Sequence, residues 1–121
     1  MANPNIVNVG TISGKTLGAA LGTGTADLVT NSGGSGKIFK INSVYVSNID
    51  GTSAAACTLT FYDSSATATW HLVKTVSVPA DATLVVISKN EAVYLEEGDK
   101  IAGYADVAGD LQVVISYEEI S

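Results

Sequence analysis

The chain has 121 residues, and its six lysines, twelve carboxylates and complete lack of arginine give it a net charge of −6. Because binding to nucleic acids and to anionic membranes depends on basic side chains, this balance argues against both classes of partner. The length fits one domain that folds without a metal ion, and the single cysteine, Cys57, excludes an intramolecular disulfide.

The N-terminal stretch MANPNIVNVG lacks the basic segment and the long apolar core of a signal peptide. No run of apolar residues in the chain approaches the length of a membrane span. We therefore expect a soluble chain without a secretory leader.

Glycines recur at every fourth position near the N-terminus, at Gly10, Gly14, Gly18 and Gly22. In a strand, this spacing places all of them on one face and leaves room for another backbone or sheet to approach closely. We therefore separate residues 1–24, a glycine-rich arm or first strands, from residues 25–121, a β-sandwich domain. A weakly ordered leader is the alternative interpretation of the first segment.

Two glycine-rich segments resemble a nucleotide-binding P-loop, but neither fits its pattern. The segment VGTISGKT has three residues between Gly10 and Gly14, whereas the P-loop requires four. The segment SGGSGKI has Ile38 in place of the hydroxyl and precedes an expected strand, whereas a phosphate-binding loop precedes a helix. We interpret both segments as turns between strands, and we expect no nucleotide and no other cofactor.

Alternating apolar residues and closely spaced turn residues predict strands along most of the chain. The segment LQVVISY, for example, places four side chains on one face: Leu111, Val113, Ile115 and Tyr117. No segment has helical periodicity, so the expected fold is all-β, an antiparallel β-sandwich of jelly-roll type with little or no helix. Strands are expected near residues 5–12, 16–21, 26–31, 37–48, 56–62, 69–78, 83–88, 92–95, 100–107 and 111–119.

The titratable residues do not form a catalytic pattern. His71 is the only histidine, so no second imidazole accompanies it, and we expect it at the surface. Cys57 shares a strand face with Leu59 and Phe61, which indicates a buried, structural thiol. We therefore expect no catalytic residues, no metal site and no enzymatic activity.

A short acidic segment, LEEGD, surrounds Gly98 with Glu96, Glu97 and Asp99. It lacks the alternating carboxylates of a calcium-binding loop, so we interpret these residues as turn acids. A weak cation site formed by the same three carboxylates is the alternative.

Four aromatic residues, together with the four N-terminal glycines, are candidates for an interface: Tyr45, Trp70, Tyr94 and Tyr104. Aromatic rings pack in cores, dominate protein interfaces and stack on sugars. We rank core packing first, interface contact second and sugar binding third for these rings.

Four segments from about Gly36 onward carry a resemblance to a known group of proteins: GKIFKINSVYVSNIDGT, HLVKTVSVPADATLVVISK, VYLEEGDKI and the terminal SYEEIS. In this order they resemble small virion structural proteins of tailed bacteriophages, over roughly two-thirds of the chain. The resemblance implies a β-rich particle component of the capsid decoration or cement type, and it brings no catalytic signature. The first 24 residues match least well.

The leading hypothesis is therefore a capsid decoration protein, made in the host cytoplasm and located in the virion. Its expected partners are the major capsid protein or other virion proteins. The strand edges of the expected sandwich are hardly protected, because the chain has few prolines and no arginine. Symmetric neighbours could pair with these edges, so we expect a homo-oligomer, with a trimer favoured. The alternative is a tail or fibre component that binds a receptor or glycan through Trp70 and the tyrosines.

Overall fold

The computed structural model describes residues 10–121, and almost every segment between its turns is a strand. The elements in chain order are β1 (Ile12–Ala20), β2 (Ala26–Thr30), β3 (Ile38–Asn48), β4 (Ala55–Asp63), β5 (Ala68–Val78), β6 (Thr83–Ile87), a 3-10 turn (Lys89–Glu91), β7 (Val93–Leu95), β8 (Lys100–Ala105) and β9 (Leu111–Ile120). In this part of the chain, no helix has the length and apolar character needed to cross a membrane.

The strands form two antiparallel sheets that pack as a sandwich, which confirms the predicted fold class. Sheet A has the order β1-β9-β3-β6, and β7 pairs with the first half of β3. Sheet B has the order β2-β8-β4-β5. Because strands distant in sequence are neighbours in both sheets, this order favours the jelly-roll interpretation over a simple meander.

The core lies between the sheets and contains the inward residues of the alternating strands. On β9, Leu111, Val113 and Ile115 are fully buried. Tyr117, the next residue on that face, stacks on Phe39 with the ring centroids 5.4 Å apart. The alternation read from LQVVISY therefore predicted the buried face of β9 correctly.

Cys57 lies in this core, on β4 between the two sheets. Its side chain and that of Leu59 are fully buried, and Phe61 packs against the same cluster. Burial raises the pKa of the Cys57 thiol, because a thiolate would lose its hydration there. The predicted structural thiol is confirmed.

β1 is one uninterrupted strand, so the expected turn between two strands in this segment is wrong. The cause is β9, which pairs with β1 along its whole length, from Ile12 opposite Ile120 to Ala20 opposite Gln112. A continuous ladder satisfies backbone N–H and C=O groups that a turn would leave to solvent. Most of the predicted strand near residues 5–12 lies outside the described residues.

The second glycine-rich segment, residues 31–37, connects β2 to β3 as predicted, and a buried asparagine holds it in place. The Asn31 amide donates hydrogen bonds to the carbonyls of Lys37 and Leu95, both at 2.9 Å, and its Oδ1 accepts one from Ser35. Neither glycine-rich segment precedes a helix, so neither has the setting in which a phosphate-binding loop works.

A second buried asparagine, Asn48, organises the turn that follows β3. Its amide donates to the carbonyls of Ser53 and Val78 at 2.9 Å, and its Oδ1 accepts a hydrogen bond from the backbone of Asp50. We did not predict either asparagine. The available signal was their position, since each lies at a strand end before a glycine-containing turn, where the asparagine side chain commonly bonds to the local backbone.

Gly103 allows β8 to approach β4 closely. A Cβ at this position would lie 2.8 Å from the carbonyl oxygen of Thr58 and would also overlap the side chain of Leu59. Both neighbours belong to β4, an inner strand of sheet B that is paired on both sides, so moving them would disturb two ladders.

We expect Gly103→Ala to lower the free energy of unfolding by about 2 kcal/mol, because it forces backbone and core side chains apart. Gly24→Ala is the matched control, because nothing lies within 4 Å of a Cβ at that position. Urea denaturation of both variants and the wild type measures the difference. Equal stability of the two variants would show that β4 and β8 are not held this closely.

Candidate interface surfaces

The outward side of sheet A is a broad surface, which we call the A face. Because side chains alternate along each strand, the register between strands determines which residues share it. We describe the A face by two cross-strand rows, which are sets of residues that lie opposite one another on neighbouring strands. The first row runs Gly14, Glu118, Lys40 and Tyr94, and the second runs Gly18, Val114, Tyr45 and Val85.

In these two rows, small and large residues occupy opposite edges of the A face. On β1, nothing lies within 4 Å of a Cβ placed on Gly14 or Gly18. Shallow hollows of about 380 Å³ and 310 Å³ lie over these two glycines. On the opposite side, Tyr45, Val85 and Tyr94 are 37%, 59% and 41% exposed. In these two rows, the face is therefore low at the glycines of β1 and raised at the apolar side chains of β3, β6 and β7.

The A face is nearly neutral, although the whole chain carries a net charge of −6. Among the outward-facing residues of the sheet A strands, the charged ones are Lys40 and Glu118, which are cross-strand neighbours on β3 and β9. The amide of Asn42 donates a hydrogen bond of 3.3 Å to the Glu118 carboxylate. We did not predict that Lys40, Glu118 and Val85 belong to this surface, because only the strand register brings them together.

The eight predicted interface residues do not all share one surface. Gly14, Gly18, Tyr45 and Tyr94 lie together on the A face, as the two rows show. The other four lie apart from the A face. Before β1, the backbone N–H of Gly10 donates a hydrogen bond to the carbonyl of Ser121, and in the β1–β2 connection the carbonyl of Gly22 accepts one from the backbone of Ala105. Trp70 is on β5 opposite Phe61, and Tyr104 is on β8 opposite Thr58.

Two long strands form sheet edges that have no neighbour within the described residues. β1 pairs with β9 alone, and β5 pairs with β4 alone. Trp70 on β5 is 58% exposed, and His71 beside it is exposed as predicted. Exposed edge strands present unpaired backbone groups to other chains. Both edges are therefore candidates for contact with a partner.

The acidic segment before β8 is tied into turns by its own carboxylates. Asp99 is buried, and its two oxygens accept hydrogen bonds from the backbone of Ser64 and Glu96 at 2.8 and 2.9 Å. Glu97 accepts a hydrogen bond from the backbone of Gly36 at 2.7 Å. These contacts are those of turn-forming acids. Among residues 10–121, no group of three or more His, Cys, Asp or Glu is placed to hold a metal ion.

A second acidic group lies where β3 ends and β9 begins. Partial loss of hydration raises the pKa of Asp110, and the nearby charges of Asp50 and Asp106 raise it further. Hydrogen bonds from the backbone and hydroxyl of Thr52 lower the pKa of Asp50 instead. Three carboxylates, those of Asp50, Asp106 and Asp110, therefore lie close together at this end of the sandwich.

Glu119 on β9 pairs with two lysines, Lys15 of β1 and Lys37 directly before β3. Its carboxylate accepts a hydrogen bond from Lys37 Nζ at 3.0 Å and lies 3.5 Å from Lys15 Nζ, and its side chain is 13% exposed. Burial raises the pKa of Glu119, but the hydrogen bond and charge of Lys37, together with Lys15, outweigh this effect and lower the pKa overall. Lys15, the lysine of the GKT sequence, thus forms an ion pair within the sandwich.

We expect Glu119→Gln to lower the free energy of unfolding by about 1 kcal/mol at neutral pH, because the amide cannot replace the charged contacts with partly exposed lysines. Since folding lowers the pKa of Glu119, its contribution is complete above the pKa of the unfolded chain and is lost as the pH falls through the folded value. Urea unfolding at a series of pH values measures the difference. A difference that stays constant down to strongly acidic pH would contradict this role.

No family model and no curated protein sequence matches the chain. Solved structures do share its fold. A chain of the Bacillus endospore appendages, a family of disulfide-linked pili, has a TM-score of 0.54 and 15% identity, over 92% of this chain and 87% of that chain. A chain from the acid-stable capsid of Helicobacter pylori bacteriophage KHP30 has a TM-score of 0.52 and 8% identity, over 94% and 90%. At these identities, the likeness shows a common sandwich fold.

Proposed function

We propose that the protein is a structural component of a bacteriophage virion, and specifically a capsid decoration or cement protein. The observation that carries the proposal is the fold, which extends over 94% of this chain and 90% of a chain from a phage capsid. The resemblance of the segments from Gly36 onward to small phage virion proteins points to the same class. The related fold in pili indicates that this sandwich serves in assemblies of many copies.

The placement of the reactive side chains supports a role in binding and not in catalysis. His71 is exposed on an edge strand, and Cys57 is buried in the core. The carboxylates of Asp99 and Glu119 are occupied by backbone amides and lysines. We therefore propose a non-enzymatic protein that acts through contact surfaces.

The mechanism is stabilisation by mass action. A protein that binds the assembled shell, and not its separated subunits, shifts the equilibrium towards the shell. At a free concentration of 100 times the dissociation constant, each occupied site contributes about 2.7 kcal/mol. Weak attachment therefore becomes a large effect when many sites are occupied on one particle.

The partner that this role requires is the major capsid protein or another virion protein, and its location is the virion, after synthesis in the host cytoplasm. The net charge of −6 favours the outer surface of the particle, because packaged nucleic acid would repel the chain. The free edges of β1 and β5 allow the expected trimer, since head-to-tail contacts between edges form a ring when the rotation between copies closes.

A tail or fibre component that binds a receptor or glycan is the second candidate. Trp70 supports it, because this ring is 58% exposed and lies opposite Phe61 on the neighbouring strand. Exposed aromatic rings are suited to stack on sugars and to fill pockets in a protein partner.

We expect the purified protein to bind particles that lack it and to raise the temperature at which they are disrupted. Sedimentation with the particles measures binding, and release of packaged nucleic acid on heating measures disruption. Trp70→Ala should preserve both effects if decoration is the role. Unchanged disruption together with no binding would rule out decoration. Binding to host cells or surface polysaccharide that Trp70→Ala abolishes would establish the alternative.

A further inference from the structure

We infer that two copies of this chain pair through the A face, related by a two-fold axis that runs along the strands between β9 and β3. Such an axis reverses the order of each cross-strand row. The small-residue margin of one copy then covers the large-residue margin of the other. Self-pairing is independent of the proposed virion role, because it is a property of the purified protein alone.

The first row matches itself when it is reversed. Its order across the sheet is Gly14, Glu118, Lys40 and Tyr94. Reversal places Gly14 opposite the tyrosine of the second copy and Glu118 opposite its lysine. Stacked sheets pack about 10 Å apart, so a tyrosine ring fits only where the opposite residue is small. The hollow of about 380 Å³ over Gly14 provides this space.

The second row shows the same match independently. Its order is Gly18, Val114, Tyr45 and Val85. Reversal places Gly18 opposite Val85 and Val114 opposite Tyr45, so that every apolar side chain meets an apolar or empty position. Val85 is 59% exposed and Tyr45 is 37% exposed in the single chain. Burial of these side chains provides the favourable free energy of pairing.

Charge also favours a second copy as the occupant. Two molecules of net charge −6 repel each other over most of their surfaces. The A face avoids this repulsion, because its charged residues are Lys40 and Glu118, one of each sign. The two-fold axis brings each of them opposite its counter-charge. The A face is thus complementary in charge to the A face of a second molecule, which identifies the partner as another copy of this chain.

The area of the A face fits a weak dimer. Four columns of strands at about 4.8 Å spacing and about nine residues of strand length cover about 600 Å² on each copy. The pair therefore buries about 1,200 Å², at the lower end of specific interfaces. We expect association in the micromolar range, which sedimentation equilibrium can measure.

Sedimentation equilibrium of the purified full chain tests the pairing. We expect a mass of two chains, or of six where pairs join rings of three. Gly18→Val should weaken pairing at least tenfold, because it places valine against the partner's Val85. The exchange variant Gly18→Val with Val85→Gly should restore it, since the two side chains have changed places across the axis. Gly24→Val, in the connection between β1 and β2, is the control and should pair like the wild type.

A charge exchange tests the same axis at another row. Glu118→Lys should weaken pairing at least tenfold, and adding Lys40→Glu should restore it. Thermal unfolding of each variant at a dilution that dissociates the pair separates loss of pairing from loss of fold. A wild-type mass of one or three chains at several hundred micromolar would overturn the inference. So would an even-numbered assembly that neither Gly18→Val nor Glu118→Lys weakens, because another surface would then hold it.

Discussion

The double pairing of β9 is the constraint on which the rest of the structure depends. Every residue of β1 lies opposite a residue of β9, and β3 pairs with the other side of β9 from Ile38 to Asn48. These ladders fix which residues of three strands point inward. The buried side chains of Val113 and Ile115 and the outward Val114 and Glu118 follow from one register, since a slip of one residue would exchange the two faces.

The strands and the core were predictable because they depend on local alternation. The inward face of β9 and the burial of Cys57 were both evident in the sequence. The turn expected in the GKT segment was wrong, because glycine and lysine propensities are local, whereas the pairing of β1 with β9 joins distant parts of the chain. The division of the chain at residue 24 and the jelly-roll type remain predictions.

The candidate surfaces were predictable only in part, for a related reason. The spacing of Gly14 and Gly18 places them on one face, and this follows from alternation alone. Their position in the same rows as Tyr94 and Tyr45 depends on the irregularity in β3 around Asn42, where the register with β9 shifts. An extra residue in one strand moves every later side chain relative to its neighbours, and sequence alternation does not reveal it.

Strand propensity alone does not explain the composition of the A face. Valine and tyrosine have high strand propensity, and this alone explains the presence of Val85 and Tyr45. Glycine inside a strand is destabilising by about 0.5–1 kcal/mol relative to alanine, and neither Gly14 nor Gly18 has a positive φ or a close neighbour that requires it. Protection of a free edge would account for glycine at any position of β1. However, the two glycines within this strand both face outward, and each lies in a row that has a large side chain at its other end. Two-fold pairing of the A face requires this arrangement.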